Sequence, residues 1–207
     1  MSERKVWGRA TSSNVQAVMW ALAELGLEAE RIDVGLTYGG LDTPAFRAMN
    51  PNGLIPVLQE KGLTMWECPA ILRYLGAAYG DDAFWPRDPK ARAPLDMWAE
   101  WMRSTFLPPF IVVFLGLVRT PPEKRDDAAI AAALEEVKGP AKLLDARLED
   151  GPYLAGEAFS FADIAIGTFL YRYFGMEIDR APTPKLEAYY RRLAERPAYA
   201  EHVMVAP

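Results

Sequence analysis

Three short stretches hold the residue types that nucleophilic and acid–base chemistry uses. Ser12, Ser13 and Asn14 stand directly before the apolar run Val15–Leu25, at the expected start of a helix. Hydroxyl and amide donors there, with the unpaired N–H groups and positive dipole end of the helix, would favour a thiolate or another anion. All three are also good N-cap residues, so ordinary capping is open to each of them. Glu67-Cys68-Pro69 begins a later helix in the same way, with proline in its first turn. Such a position attracts anions and can lower the pKa of the Cys68 thiol, or Cys68 can be a small half-buried residue beside a site. Ile55-Pro56 offers two readings. A cis bond would turn the Ile55 N–H and C=O outward toward a ligand, whereas a trans bond would merely end an edge strand. Trp7 and Arg9 lie on the first strand-to-helix loop, facing the same space. Arg9 is either a contact for a substrate carboxylate or a surface charge.

Two further patterns belong to the second half. Ser160-x-x-Asp163 before Ile164-Ala165-Ile166 is an N-capping box, a structural feature worth about 1–2 kcal/mol. Met102, Phe106, Phe110, Val113, Phe114 and Leu117 follow helical spacing beside Pro108-Pro109, with Arg119 beyond them. They are either core or the wall of a ligand pocket, which periodicity does not separate.

The elements that must position these residues alternate in type at first. Lys5–Trp7 is a short strand ended by Gly8, Val15–Leu25 a helix stopped by Gly26, and Ala29–Val34 a second strand. Asp42–Phe46 opens a short helix. Asn50-Pro51-Asn52-Gly53 is a turn leading into a hairpin of Leu54–Leu58 and Leu63–Trp66, and a helix starts at Cys68. The order β-α-β-α-β-β-α mixes parallel and antiparallel pairing. Residues 1–80 therefore form an α/β domain and 81–94, with three prolines, a linker. Residues 95–207 are helical: Leu95–Phe106, Phe110–Val118 after a break at the two prolines, Asp126–Leu148 interrupted near Gly139-Pro140, Ala162–Phe174 and Leu186–Ala194.

Composition excludes several classes. The 207 residues contain one cysteine and one histidine, so an intrachain disulfide, a CxxC pair, a cysteine-rich zinc site and an HExxH motif are all ruled out. His202 alone makes a serine or cysteine triad a poor expectation, and no metal is expected. A net charge of −5 offers no basic footprint for nucleic acid or an anionic membrane. The start has no apolar h-region, and Phe110–Val118 is about half the roughly 20 residues of a bilayer span. A cytoplasmic protein is expected.

The combination of motifs resembles the cytosolic glutathione transferases over nearly the whole chain. It rests on Ser12–Val15, on Asn50–Leu58, on Trp66–Leu75, and on Tyr153-Leu154-Ala155-Gly156 followed by Phe159–Ala165. The run Gly116–Glu123 is similar to bacterial members. The resemblance implies a thioredoxin-like α/β N-terminal domain and an all-α C-terminal domain. It implies glutathione as co-substrate, with Pro56 cis and the Ile55 backbone paired with the cysteinyl part. Glu67 would face the γ-glutamyl ammonium, and Cys68 with the helix amides the carboxylate. The family usually has Glu-Ser there, and a thiol is the weaker donor. Ser12 aligns with the serine of serine-type classes and Asn14 with the catalytic cysteine of one bacterial class. Ser12-x-Asn14 is also similar to the Thr-x-Asn pair of another. Ser12 ranks first for the sulfur contact and Asn14 second. Met102, Phe106, Phe110, Val113, Arg119, Trp7 and Arg9 would line the electrophile pocket. The implied activity is addition of the glutathione thiolate to a small electrophile, halogenated or acidic compounds among them, in a cytoplasmic homodimer acting in detoxification. A glutathione-dependent reductase of disulfides or mixed disulfides, suggested by Ser12-x-Asn14 and Cys68, and a non-catalytic binding protein of the same fold are the alternatives.

Overall fold

The computed structural model describes residues 3–206 and divides into two compact units. One runs to Arg87 and takes back the chain from Ala194 onward; the other is Asp88–Leu193. The first contains β1 (Arg4–Trp7), α1 (Ser13–Glu24), β2 (Glu30–Ile32), α2 (Pro44–Met49), β3 (Val57–Glu60), β4 (Leu63–Trp66) and α3 (Cys68–Tyr79), in the expected order. The sheet order is β2-β1-β3-β4, with β1 parallel to β2 and antiparallel to β3, and β3 antiparallel to β4. Val57 and Leu58 point to opposite faces and both are buried, so both faces are covered. On the Val57 face α2 packs Phe46 against Val34 and Val57, joined by Trp7, Leu41, Met49 and Ile55. The Leu58 face is left to α1 and α3, which pack on each other.

The same unit is completed by α9 (Pro197–His202), a helix the sequence reading leaves out. Tyr199 meets Trp20 of α1 edge-on at 4.7 Å between ring centroids. The Glu24 carboxylate accepts the Trp20 indole N–H at 2.8 Å and two nitrogens of Arg196 at 2.7 and 2.6 Å.

In the second unit α4 (Pro89–Trp101) begins inside the expected linker, capped by Asp88, whose carboxylate accepts the N–H groups of Lys90 and Ala91. The break expected at Pro108-Pro109 is absent. The helix widens to a π-turn over Met102–Phe106, where the Leu107 N–H reaches the Met102 carbonyl, and continues as α5 (Leu107–Phe114) and a second π-turn, Leu115–Arg119. The wide turn gives the two proline rings room that a regular preceding turn would deny them. The run Pro89–Arg119 is consequently long and apolar enough to cross a bilayer, counter to the sequence expectation. Within this unit it packs against α6 (Asp127–Arg147) and α7 (Phe161–Gly175). Likewise α6 runs unbroken through Pro140, held by buried Ile130, Ala133, Val137, Ala141 and Leu144. The unit ends with α8 (Pro184–Ala194).

The capping box is present and does more than cap. The buried Asp163 carboxylate accepts the Ser160 N–H at 2.7 Å, the Ser160 hydroxyl at 2.9 Å, the Leu154 N–H at 3.0 Å and the Tyr189 hydroxyl at 2.8 Å. One carboxylate thereby fixes the start of α7, the 154 loop and α8.

Candidate functional site

One end of the sheet gathers the chemistry-bearing residues of the first unit. Trp7 pairs with Val57 and Val57 with Trp66, so β1 leaves, β3 begins and β4 leaves at the same end. Just past that end of the ladders the chain carries Gly8-Arg9 after β1, Ile55-Pro56 before β3 and Glu67-Cys68 after β4. The Ile55–Pro56 bond is cis. Ile55 lies just beyond the ladder and is delivered by the Asn50–Gly53 turn. The buried Asn50 staples that turn, its Nδ2 donating to the Leu54 carbonyl at 2.7 Å and its Oδ1 accepting the Asn52 N–H at 3.0 Å.

Close approach of the backbone draws the start of α1 into the group. A Cβ on Gly8, whose φ is +150°, would stand 2.4 Å from Val15 Cγ2 and 3.2 Å from Ile55 Cβ. A Cβ on Gly35 would be 3.4 Å from the Arg9 guanidinium and 3.6 Å from Ile55 Cδ1. Gly8 reads in the sequence only as the end of a strand and Gly35 carries no signal beyond following one, so neither is legible there as part of this group. Arg9, Ile55 and Val15 are therefore neighbours.

Ser12 is the N-cap residue of α1 in extended conformation, yet its side chain makes no capping hydrogen bond. Its carbonyl accepts the Gln16 N–H at 2.8 Å. The capping alternative thus falls away for Ser12, whose hydroxyl is not committed to the helix it precedes. Asn14 is half-buried in the first turn. Glu67 is exposed at the N-cap of α3 with φ +70°, a conformation costly outside glycine and characteristic of functional sites. Cys68 is only 5% exposed, which suits a residue packed beside a ligand better than a thiol that must attack a disulfide.

Other expected site residues fall elsewhere. Trp7 is anchored in the cluster under α2, and its indole N–H donates to Gln59 Oε1 at 2.8 Å. Met102, Phe106, Phe110 and Val113, expected as pocket wall, are 0%, 0%, 1% and 0% exposed. Phe106 and Phe110 pack on Tyr173 of α7, so this stripe is core, the alternative that its periodicity left open. Between 102 and 119 the exposed positions of the same helix are Ser104, Thr105, Pro108, Val112, Leu115, Val118 and Arg119. Arg119 is exposed, its guanidinium 5.9 Å from the Phe114 ring.

The family model of the glutathione S-transferase N-terminal domain matches residues 2–77, and that of the C-terminal domain residues 95–197. The chain belongs to the glutathione S-transferase family. It is 42% identical over 202 residues to glutathione S-transferase GstB of Escherichia coli (strain K12), covering 97% of both proteins. Glutathione S-transferase 3 of Zea mays is 34% identical, with 100% of this chain and 96% of the maize protein covered. Among solved structures, the theta-class glutathione S-transferase of the citrus canker pathogen Xanthomonas axonopodis pv. citri, with glutathione bound, matches with a TM-score of 0.95. That match is 46% identical and covers 100% of this chain and 99% of that one. Kinship at this level makes the chain a glutathione transferase with a thioredoxin-like unit followed by a helical unit.

Proposed function

We propose that this transferase holds glutathione at the sheet end where Arg9, Ser12, Ile55-Pro56 and Glu67-Cys68 meet. The Ile55 backbone pairs with the cysteinyl part. Glu67 takes the γ-glutamyl ammonium, while Cys68 and the first N–H groups of α3 take the carboxylate. The convergence of β1, β3 and β4 on this end carries the reading. A solved relative with glutathione bound adds weight to it.

Ser12 donates to the sulfur, with Asn14 second. A thiol of pKa about 8.5 is only a few per cent thiolate at neutral pH. A hydroxyl donor, the α1 dipole and the Arg9 guanidinium each favour the anion. The proton leaves to solvent, sulfur attacks the electrophilic carbon, and the new S–C bond forms as the leaving group departs with its electron pair. Arg119 meets an acidic electrophile held by the helical unit. The protein acts as a cytoplasmic homodimer in detoxification, without metal.

Thiolate absorbance of bound glutathione, followed against pH, tests the assignment. Ser12→Ala raises the pH at which thiolate appears and lowers kcat/KM about 10–100-fold, the worth of one hydrogen bond to a charged group. Asn14→Ala has the smaller effect. An unchanged thiolate titration in Ser12→Ala overturns the role given to Ser12. Assay against halogenated acids, aryl halides, peroxides and disulfides then selects the electrophile class.

A further inference from the structure

The opposite end of the same sheet holds a second concentration of ionisable groups, remote from the residues described above. Glu60 closes β3 and is 2% exposed. Its carboxylate meets Arg4 Nε of β1 at 2.6 Å, accepts the Tyr74 hydroxyl of α3 at 2.8 Å, and accepts the Tyr79 hydroxyl at the end of α3. The Arg4 guanidinium also lies 4.9 Å from the Tyr79 ring centroid. Burial alone would push the Glu60 carboxyl up. The two hydroxyls and the guanidinium reverse this and hold it below the ordinary carboxylate range. The Tyr74 hydroxyl is correspondingly raised by its bond to Glu60.

Each partner of this carboxylate continues to the other end of the unit. β1 runs from Arg4 to Gly8 and Arg9, β3 runs back from Glu60 to Ile55-Pro56, and α3 runs back from Tyr79 and Tyr74 to Cys68 and Glu67. At 1.5 Å per residue, Tyr74 is about 9 Å along the helix from Cys68. An α-helix transmits an axial shift along its length because every carbonyl is bonded to the next turn. A helix lying on apolar contacts alone can slide by small amounts, since dispersion is not directional. Two hydroxyls on one fixed carboxylate remove that freedom.

We propose that Glu60 is a positioning residue for glutathione, setting the axial placement of α3, and hence of Glu67 and Cys68, against Ile55-Pro56. The inference rests on the glutathione site proposed above. Titration calorimetry of the full chain with glutathione, at a temperature where every variant is fully folded by circular dichroism, is the test. Glu60→Gln weakens binding about tenfold, a loss of about 1.4 kcal/mol. Tyr74→Phe, which removes one hydroxyl and keeps the ring, weakens it less, and Glu60→Asp restores part of the affinity. Variants that melt earlier yet bind glutathione within twofold of the parent overturn the proposal and leave Glu60 a purely structural anchor. Should Glu60→Gln fail to fold, Tyr74→Phe carries the same two outcomes. Failure of the underlying site is distinguishable, because the unaltered chain would then bind no glutathione.

Discussion

At Cys68 a thiol stands where resembling enzymes carry a hydroxyl, and a thiol donates the weaker hydrogen bond. Serine is close to isosteric and the position is buried, so the exchange changes the donor more than the packing. Cys68→Ser should tighten glutathione binding roughly 2–10-fold, the gain of about 0.5–1.5 kcal/mol expected from one better hydrogen bond. Calorimetry reads this directly, and an unchanged dissociation constant would mean that the α3 amides hold the carboxylate alone. At this scale the sequence names candidate residues but not their roles. Ser12, Ser13 and Asn14 are equally good caps by type, and only the geometry shows that the Ser12 side chain makes no capping bond. Nor does a glycine announce which atoms approach it. The contact of Gly8 with Val15 and Ile55, which joins two distant motifs, has no local signature.

Among the elements, α7 depends most on one side chain. Asp163→Ala would strip the acceptor from the Ser160 and Leu154 N–H groups and the Tyr189 hydroxyl, all inside the helical unit. Losing a cap costs about 1 kcal/mol and each stranded buried donor about 1–3 kcal/mol, so at least 3 kcal/mol is expected. Thermal melting should fall by roughly 6–12 °C, given 2–4 °C per kcal/mol at this chain length. A drop of under 2 °C would show that water satisfies those donors. Capping boxes and hairpins are legible because their causes lie within a few residues of sequence. Pro108-Pro109 and Pro140 misled for the opposite reason. A proline costs a helix its hydrogen bond locally, but whether the helix breaks is decided by packing along the whole element. Here the π-turn at Met102–Phe106 and the buried face of α6 both decide for continuity. The stripe Met102–Val113 was ambiguous because a core and a pocket wall look alike until exposure is known.

For the molecule as a whole, the telling feature is that the sheet unit is discontinuous in sequence. Trp20 is fully buried partly by Tyr199, and Glu24 holds Arg196 with both oxygens. A chain stopped after Leu193 should melt at lower temperature and show red-shifted tryptophan emission. Unchanged melting and emission would reduce α9 to an ornament of α1. The order of synthesis gives this return of the chain another meaning. At about 5–20 residues per second, the interval between the emergence of α3 and that of α9 is on the order of ten seconds. For that time the strands and helices of the sheet unit are outside the ribosome with the Trp20 face of α1 uncovered. The unit that holds β1 to α3 is therefore completed only once α9 has been made.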